Sequence, residues 1–354
     1  MISTKYRLPW RVGTSPTLCV SVTDGCGFDC CGNRCEPRPL ESLKEELTAI
    51  EQWPRADSIA LIGGEPSRHP ELAELVKAAR QIRKKVVLCT NGYDLGPERL
   101  CELRDLGLWG LNLRINRDQA RPGWRERSDV QVEGLRSHYA EMVARVGGLL
   151  CGFEVEVPEG DFRQLADVLA WAERNVDRVQ RVVLHLIGKG QKGAPGVRPS
   201  DMAENWIESG WLASGDPKVA AGTVAWRVGR RGSDVLAASP RLLQILCEAY
   251  ESTHRRHFAY LNPQSFRSQL SCWIGALSDM SLRPLAKEIL ASLRNPSKVM
   301  SPRLASQFLF TLEPDVSLPR QPPCEGAGWD SLAMPVSSVS LSATSGCSVA
   351  RARR

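Results

Sequence analysis

The sequence predicts an α/β protein whose first half is built from six consecutive β-α units. Three observations predict it. Short runs of apolar and β-branched residues recur along the first 190 positions. The segments between them carry apolar residues at helical spacing. The alternation continues without interruption from residue 17 to residue 187. Right-handed crossovers turn such a chain into a parallel sheet, either an open doubly wound sheet or a partial barrel. In both cases ligands belong at the C-terminal ends of the strands.

The elements follow in order. Strands are expected at 17–23 (TLCVSVT), 57–62 (DSIALI), 85–90 (KVVLCT), 109–115 (WGLNLRI), 148–157 (GLLCGFEVEV) and 180–187 (QRVVLHLI). The runs are continuous rather than alternating, as buried parallel strands require. Leu40, Leu43, Leu47 and Ile50 make one helical stripe; Leu72, Leu75, Val76, Ala79 and Ile82 make a second. Phe162, Leu165, Leu169, Ala172 and Val176 make a third, and a weaker pattern covers 131–144. Pro39 and Pro70 stand near helix starts, where a missing N–H costs little.

The alternation stops at IGKGQKGAPG (187–196), whose Gly, Lys and Pro content reads as a loop. Residues 1–16 form a lead-in, 17–190 the β-α unit, and 191–333 a mainly helical extension with helices expected at 240–256 and 281–293. The Ser-rich stretch from 334 to 354 reads as a disordered tail.

Composition excludes several classes. With 354 residues and 42% hydrophobic side chains, the chain can bury a full core without disulfides. No apolar run approaches the roughly 18 residues of a membrane span. The N-terminus has no apolar segment of the signal-peptide kind, so a cytoplasmic location is expected, where the twelve cysteines stay reduced. A net charge of +6, with RARR as the basic run, reads as a solvated surface and gives no clear nucleic-acid signal.

Polar residues gather at the expected strand ends. The stretch DGCGFDCCGNRCE (24–36) follows the first strand and holds Cys26, Cys30, Cys31 and Cys35. Gly63, Gly64, Glu65 and Pro66 end the second strand, Thr90, Asn91 and Gly92 the third, and Asn116 the fourth. Glu154 and Glu156 share one face of the fifth by period two, solvated or paired with Arg, and His185 lies in the sixth. Four cysteines within ten residues of a loop point to metal. Zinc ordinarily takes paired CxxC knuckles or a Cys/His set, whereas thiolates alone suit an iron–sulfur cluster. The nearby histidine is His69, and no second knuckle follows.

TDGCGFDC, LIGGEPSRHPEL and LCTNG, in this order after the first three strands, resemble the radical S-adenosylmethionine (SAM) enzymes. The resemblance covers about residues 15 to 190. It implies a partial (β/α)6 TIM-like barrel, a [4Fe–4S] cluster held by three cysteine thiolates, and SAM bound at the unligated iron. It implies reductive cleavage of SAM to a 5′-deoxyadenosyl radical that takes hydrogen from an organic substrate. Glu65 would accept a hydrogen bond from the methionyl ammonium, with the Gly63–Gly64 backbone and Pro66 close by. Thr90 and Asn91 would lie beside them, and Asn116 would stand toward the ribose.

The family spacing CxxxCxxC is met by Cys26 and Cys30 but not beyond, because Asn33 stands where the third ligand belongs. Cys26, Cys30 and Cys35 form the preferred triad, since CGFDC matches the family's opening; Cys26, Cys31 and Cys35 form the other. Cys247, Cys272, Cys324 and Cys347 are too scattered for further clusters, so a single cluster is expected. Tyr260, Cys272 and Trp273 are lid candidates, with ordinary packing the simpler reading. The substrate class stays open between a small molecule, a lipid and a peptide, with a flavodoxin or ferredoxin as reductant. The competing reading is a non-catalytic protein holding zinc or an electron-transfer cluster on a degenerate scaffold.

Overall fold

The computed structural model describes residues 6–7, 17–24, 36–51, 58–117, 119, 121–122, 128–158, 161–187, 223–229, 236–237, 283, 305–312 and 333–335. Its centre is one sheet. The strands are β1 (Tyr6–Arg7), β2 (Thr17–Asp24), β3 (Glu36–Pro37), β4 (Ser58–Gly63), β5 (Lys85–Thr90), β6 (Leu108–Arg114), β7 (Leu150–Pro158), β8 (Arg181–Ile187), β9 (Thr223–Gly229), β10 (Leu236–Ala237), β11 (Ala305–Leu312) and β12 (Ala333–Pro335). The helices are α1 (Leu40–Glu51), α2 (Leu72–Gln81), α3 (Pro97–Leu106), α4 (Asp129–Val146) and α5 (Phe162–Arg174), with a 3-10 turn at Pro66–Arg68.

Strands β2, β4, β5, β6, β7 and β8 are parallel and lie side by side in chain order. That order has no reversal, so the sheet is singly wound. It decides between the two architectures open to the sequence, in favour of the barrel type. The six expected strands match the observed ones within one or two residues.

Parallel strands buried on both sides still divide their residues by period two. One face, including Ile59, Leu61, Val86, Leu88, Leu111, Leu113, Phe153, Val155, Val182 and Leu184, joins the helices in the main core. The helices answer with Leu43, Leu47 and Ile50 of α1, Leu75, Val76 and Ala79 of α2, and Leu165, Val168 and Trp171 of α5. The opposite face carries the small cluster Ala60, Ile62 and Cys89, and next to it the buried polar residues Asn112, Glu154 and Arg181.

The described residues of the segment 191–333 are mostly strands of this same sheet. β11 pairs parallel with β8 and antiparallel with β9, which in turn carries β1 and β10. Buried Gln307 of β11 donates from Nε2 to Ala172 O and Val179 O, both at 2.9 Å, and ties the strand to the end of α5. The helices expected at 240–256 and 281–293 lie outside the described residues, apart from helical Arg283. β12 pairs parallel with β2 at the other edge. Residues 336–354 of the expected tail are likewise outside. Among the described residues no helix is long and apolar enough to cross a membrane.

Candidate active site at the strand ends

The cysteine segment is anchored at both ends. β3 pairs antiparallel with the end of β2, Thr23 opposite Pro37 and Asp24 opposite Glu36. The two ends of the segment 25–35 are therefore held together at the C-terminal end of β2. The four cysteines lie within that segment, outside the described residues. Arg38 fixes the exit: its guanidinium donates to Ser21 O at 2.6 Å and meets Glu46 at 2.9 Å. Buried His69 holds the same residue through Nε2, 2.8 Å from Arg38 O, while its Nδ1 accepts from Glu71 N–H at 3.1 Å. Both ring nitrogens are thus committed to backbone, so His69 offers no lone pair to a metal.

Beside this stem the end of β4 comes into contact. Thr23 is the register partner of Gly63, and Gly64 N–H donates to Thr23 O at 3.2 Å. Gly63 has φ +141°, a conformation that favours glycine. A Cβ there would stand 2.5 Å from Thr23 O and 2.8 Å from Thr23 N. The Thr23 hydroxyl is buried and has no hydrogen-bond partner among the described residues. A close backbone contact between Gly63 and Thr23, an orphaned hydroxyl and the anchored ends of the cysteine-bearing segment adjoin one another here. An iron–sulfur cluster with a polar cosubstrate beside it fits this donor set.

Glu65 follows the glycine pair and is 1% exposed. Its Oε1 accepts from Ser67 N–H (3.1 Å), the Ser67 hydroxyl (2.6 Å) and the Thr90 hydroxyl (2.5 Å), and its Oε2 from Asn91 N–H (2.7 Å). The ammonium partner expected from the resemblance would have to join four protein donors. Pro66 opens the 3-10 turn that places Ser67 within reach. Asn91 Oδ1 accepts from Tyr93 N–H at 2.8 Å. Asn116 is buried, and its Oδ1 accepts from Glu156 N–H at 3.2 Å. The structure thus brings Gly63, Gly64, Glu65, Pro66, Thr90 and Asn91 together, and sets Asn116 one strand further on, against β7.

Glu154 and Glu156 are paired with arginine, one of the two options in the sequence. Arg114 sits opposite Glu154 in register, donates to Glu156 Oε1 at 2.8 Å and lies 3.8 Å from Glu154 Oε2. Asn112 continues the array: its Nδ2 donates to Glu154 Oε1 at 3.1 Å and its Oδ1 accepts from Arg181 Nε at 3.2 Å. For His185 the register gives Glu156 and Leu312 as strand partners. Arg114, Asn112, Arg181, Thr23, Arg121 and Tyr139 were not visible as site residues in the sequence. Period two on the fifth strand would have found Arg114, because it predicts which face of the fourth strand meets Glu154.

Three cysteines beyond the segment 25–35 bear on the interior. Cys89 is buried on the inner face, Cys101 is half-buried, and burial pushes the Cys151 thiol up. Among the described residues no three His, Cys, Asp or Glu side chains gather as a metal site. Tyr260, Cys272 and Trp273 lie outside the described residues.

Comparison with known proteins agrees with this arrangement. Residues 20–117 match the family model of the Radical SAM superfamily. A GTP 3′,8-cyclase of Synechococcus elongatus is 34% identical over 110 residues, covering 28% of this chain and 33% of that protein. A PqqA peptide cyclase of Streptomyces rochei is 24% identical over 206 residues, 53% of this chain and 54% of that one. An AdoMet-dependent heme synthase of Methanosarcina barkeri is 31% identical over 132 residues, 32% of this chain and 37% of that one. The chain thus spans a third to about half the length of these curated relatives. Among solved structures, Streptococcus suis SuiB is similar with a TM-score of 0.41 and 16% identity, covering 55% of this chain and 46% of SuiB. From residue 20 in β2 to residue 117, just past the end of β6, the chain is similar to the radical SAM superfamily.

Proposed function

We propose that this chain is a radical SAM enzyme acting on an organic substrate. The observation that carries the reading is the anchoring of the cysteine-bearing segment by the β2–β3 stem, directly beside the Gly63–Gly64 turn. Cys26, Cys30 and Cys35 would hold one [4Fe–4S] cluster, with Cys31 the other choice for the middle ligand. A bound cluster and SAM supply reductive cleavage of the sulfonium to a 5′-deoxyadenosyl radical that abstracts hydrogen. The chain's own residues do the rest. Gly63 and Gly64 let the end of β4 pack closely against Thr23 of β2, and Glu65 and Pro66 shape the turn. Thr90, Asn91 and Asn116 line the neighbouring strand ends. The apolar inner residues Ala60, Ile62 and Cys89 keep water from the floor.

Among a small molecule, a lipid and a peptide, a peptide is the favoured substrate. One relative, matched over 53% of this chain, is named for cyclising one. A flavodoxin or ferredoxin in the cytoplasm would deliver the electron. The competing zinc reading loses its histidine, since both nitrogens of His69 are used by backbone.

The test is anaerobic reconstitution of the full chain with iron and sulfide, followed by SAM and dithionite. A four-iron protein that forms 5′-deoxyadenosine is expected, with cluster loss in Cys26→Ala and Cys35→Ala. Cys30→Ala and Cys31→Ala separate the two triads. Stoichiometric zinc and uncleaved SAM would sink the reading.

A further inference from the structure

The β4–β5 ladder ends early. Its last register pair is Leu61 with Leu88, although β4 stays paired to β2 as far as Gly63 and β5 to β6 as far as Thr90. The mouth of the sheet therefore splits between these two strands, on the side where Gly63 and Thr23 meet. Among the described residues two side-chain links cross the split: the exposed ion pair of Arg68 with Asp94 at 2.6 Å, and one buried carboxylate. Glu65, carried by the β4 turn, accepts from the hydroxyl of Thr90 and from the amide of Asn91 on the β5 side.

The turn it grips is held from every direction. Asn91 N–H goes to Glu65 and Asn91 O accepts from Arg121 Nη2. Gly92 N–H goes to the Thr90 hydroxyl at 3.0 Å, and Gly92 O accepts from the Tyr139 hydroxyl at 2.8 Å and from Leu95 N–H at 3.0 Å. Arg121 comes from the crossing after β6 and Tyr139 from α4, and the guanidinium lies 5.9 Å from the Tyr139 ring centre. Gly92 has φ +77°, and a Cβ there would stand 2.8 Å from the tyrosine ring. Glu65, Thr90, Arg121 and Tyr139 are all at most 7% exposed. A carboxylate offers roughly four acceptor positions, and four protein donors already address this one.

We propose that Glu65 is a positioning residue: it clasps the split between β4 and β5 and acts on SAM through the Asn91–Gly92 turn, not by touching it. Arg121 and Tyr139 are the opposing jaws of the same clamp. The identity of the ligand rests on the radical SAM reading; the clamp does not. The carboxylate sets how far apart the glycine turn and the Asn91 turn stand, and so the width of the site between them.

The deciding experiment has two arms on the full chain. In the first, amide hydrogen exchange over residues 88–95 is followed in cluster-free protein by mass spectrometry. Glu65→Gln and Thr90→Val should each speed exchange by about tenfold, the scale of one lost hydrogen bond, while Thr90→Ser keeps the wild-type rate. In the second arm SAM affinity is measured on reconstituted protein, and the same two variants should weaken it in parallel. Wild-type exchange in Glu65→Gln together with weaker SAM binding makes Glu65 a ligand contact and overturns the proposal. If Glu65→Gln does not fold, the two Thr90 variants decide, and equal exchange in both overturns it. If wild-type protein binds iron but no SAM, the radical SAM reading fails, and the exchange arm alone still upholds or removes the clamp.

Discussion

Gly63 and Thr23 approach so closely that a Cβ on Gly63 would lie 2.5 Å from the carbonyl oxygen of Thr23 and 2.8 Å from its amide nitrogen. Backbone atoms cannot swing aside as a side-chain tip can. The substitution Gly63→Ala therefore meets both a clash and a φ of +141°. It should cost about 2–6 kcal/mol, combining strain of about 1–3 kcal/mol with overpacking of similar size. Urea denaturation of the purified variant measures it, and a midpoint equal to wild type would show that the two strands can part freely.

Arg114 serves two carboxylates, and one of them, Glu154, is 1% exposed. Removing a single partner of such a set leaves a buried charge uncompensated. Arg114→Met should cost about 3–5 kcal/mol. Adding Glu154→Gln should return part of that, because the amide oxygen still accepts from Asn112 Nδ2 and no longer carries charge. A double variant no more stable than Arg114→Met alone would mean that Glu154 is not the group Arg114 neutralises.

Much of this fold was legible because the β-α alternation is a repeated local signal. The strand at 85–90 was read to the residue, and α1 and α2 follow stripes that the sequence displays openly. Helix α3 had no such stripe: only Leu100 and Leu103 are buried in Pro97–Leu106, too few to register as a periodic face. Strands β9 and β11 carried no legible signal either, because β11 takes its place by pairing with β8, more than a hundred residues away, and β9 by pairing with β11. At the site, GGEP and TNG were visible as motifs at strand ends. That Glu65 joins the two is a tertiary fact, since 25 residues separate it from Thr90. Arg121 and Tyr139 are ordinary residues in their own segments and gain meaning only where α4 and the crossing before it fold back over Gly92.

Phe153 of β7 and Trp171 of α5 form an edge-to-face pair with ring centres 4.9 Å apart at 80°. Both are at most 1% exposed, and Trp171 Nε1 donates to Ser137 Oγ at 2.9 Å, joining α5 to α4. Phe153→Ala should cost about 3–5 kcal/mol, a cavity effect in the main core. Phe153→Leu should cost less, since most of the volume remains. Equal unfolding midpoints for the two variants would mean that the site collapses around the smaller residue.

Glu133 of α4 meets Arg174 of α5 at 3.0 Å, yet its carboxyl is held above the ordinary 4.5. Burial raises it most; Arg174 opposes that, and Asp167 adds to it. A carboxyl raised on folding binds more protons in the native than in the unfolded chain across that window. Its stabilising effect is present below the ordinary value and is lost as pH rises through the raised one. Glu133→Gln removes the titration at the cost of an ion pair whose arginine is largely exposed and which contributes little. The stability of Glu133→Gln relative to wild type should therefore improve as pH rises from the ordinary carboxyl value through the raised one, and then level off. Urea denaturation at several pH values checks this. A difference that stays flat, or that moves in favour of wild type as pH rises, would mean that the Arg174 pair outweighs burial at this position.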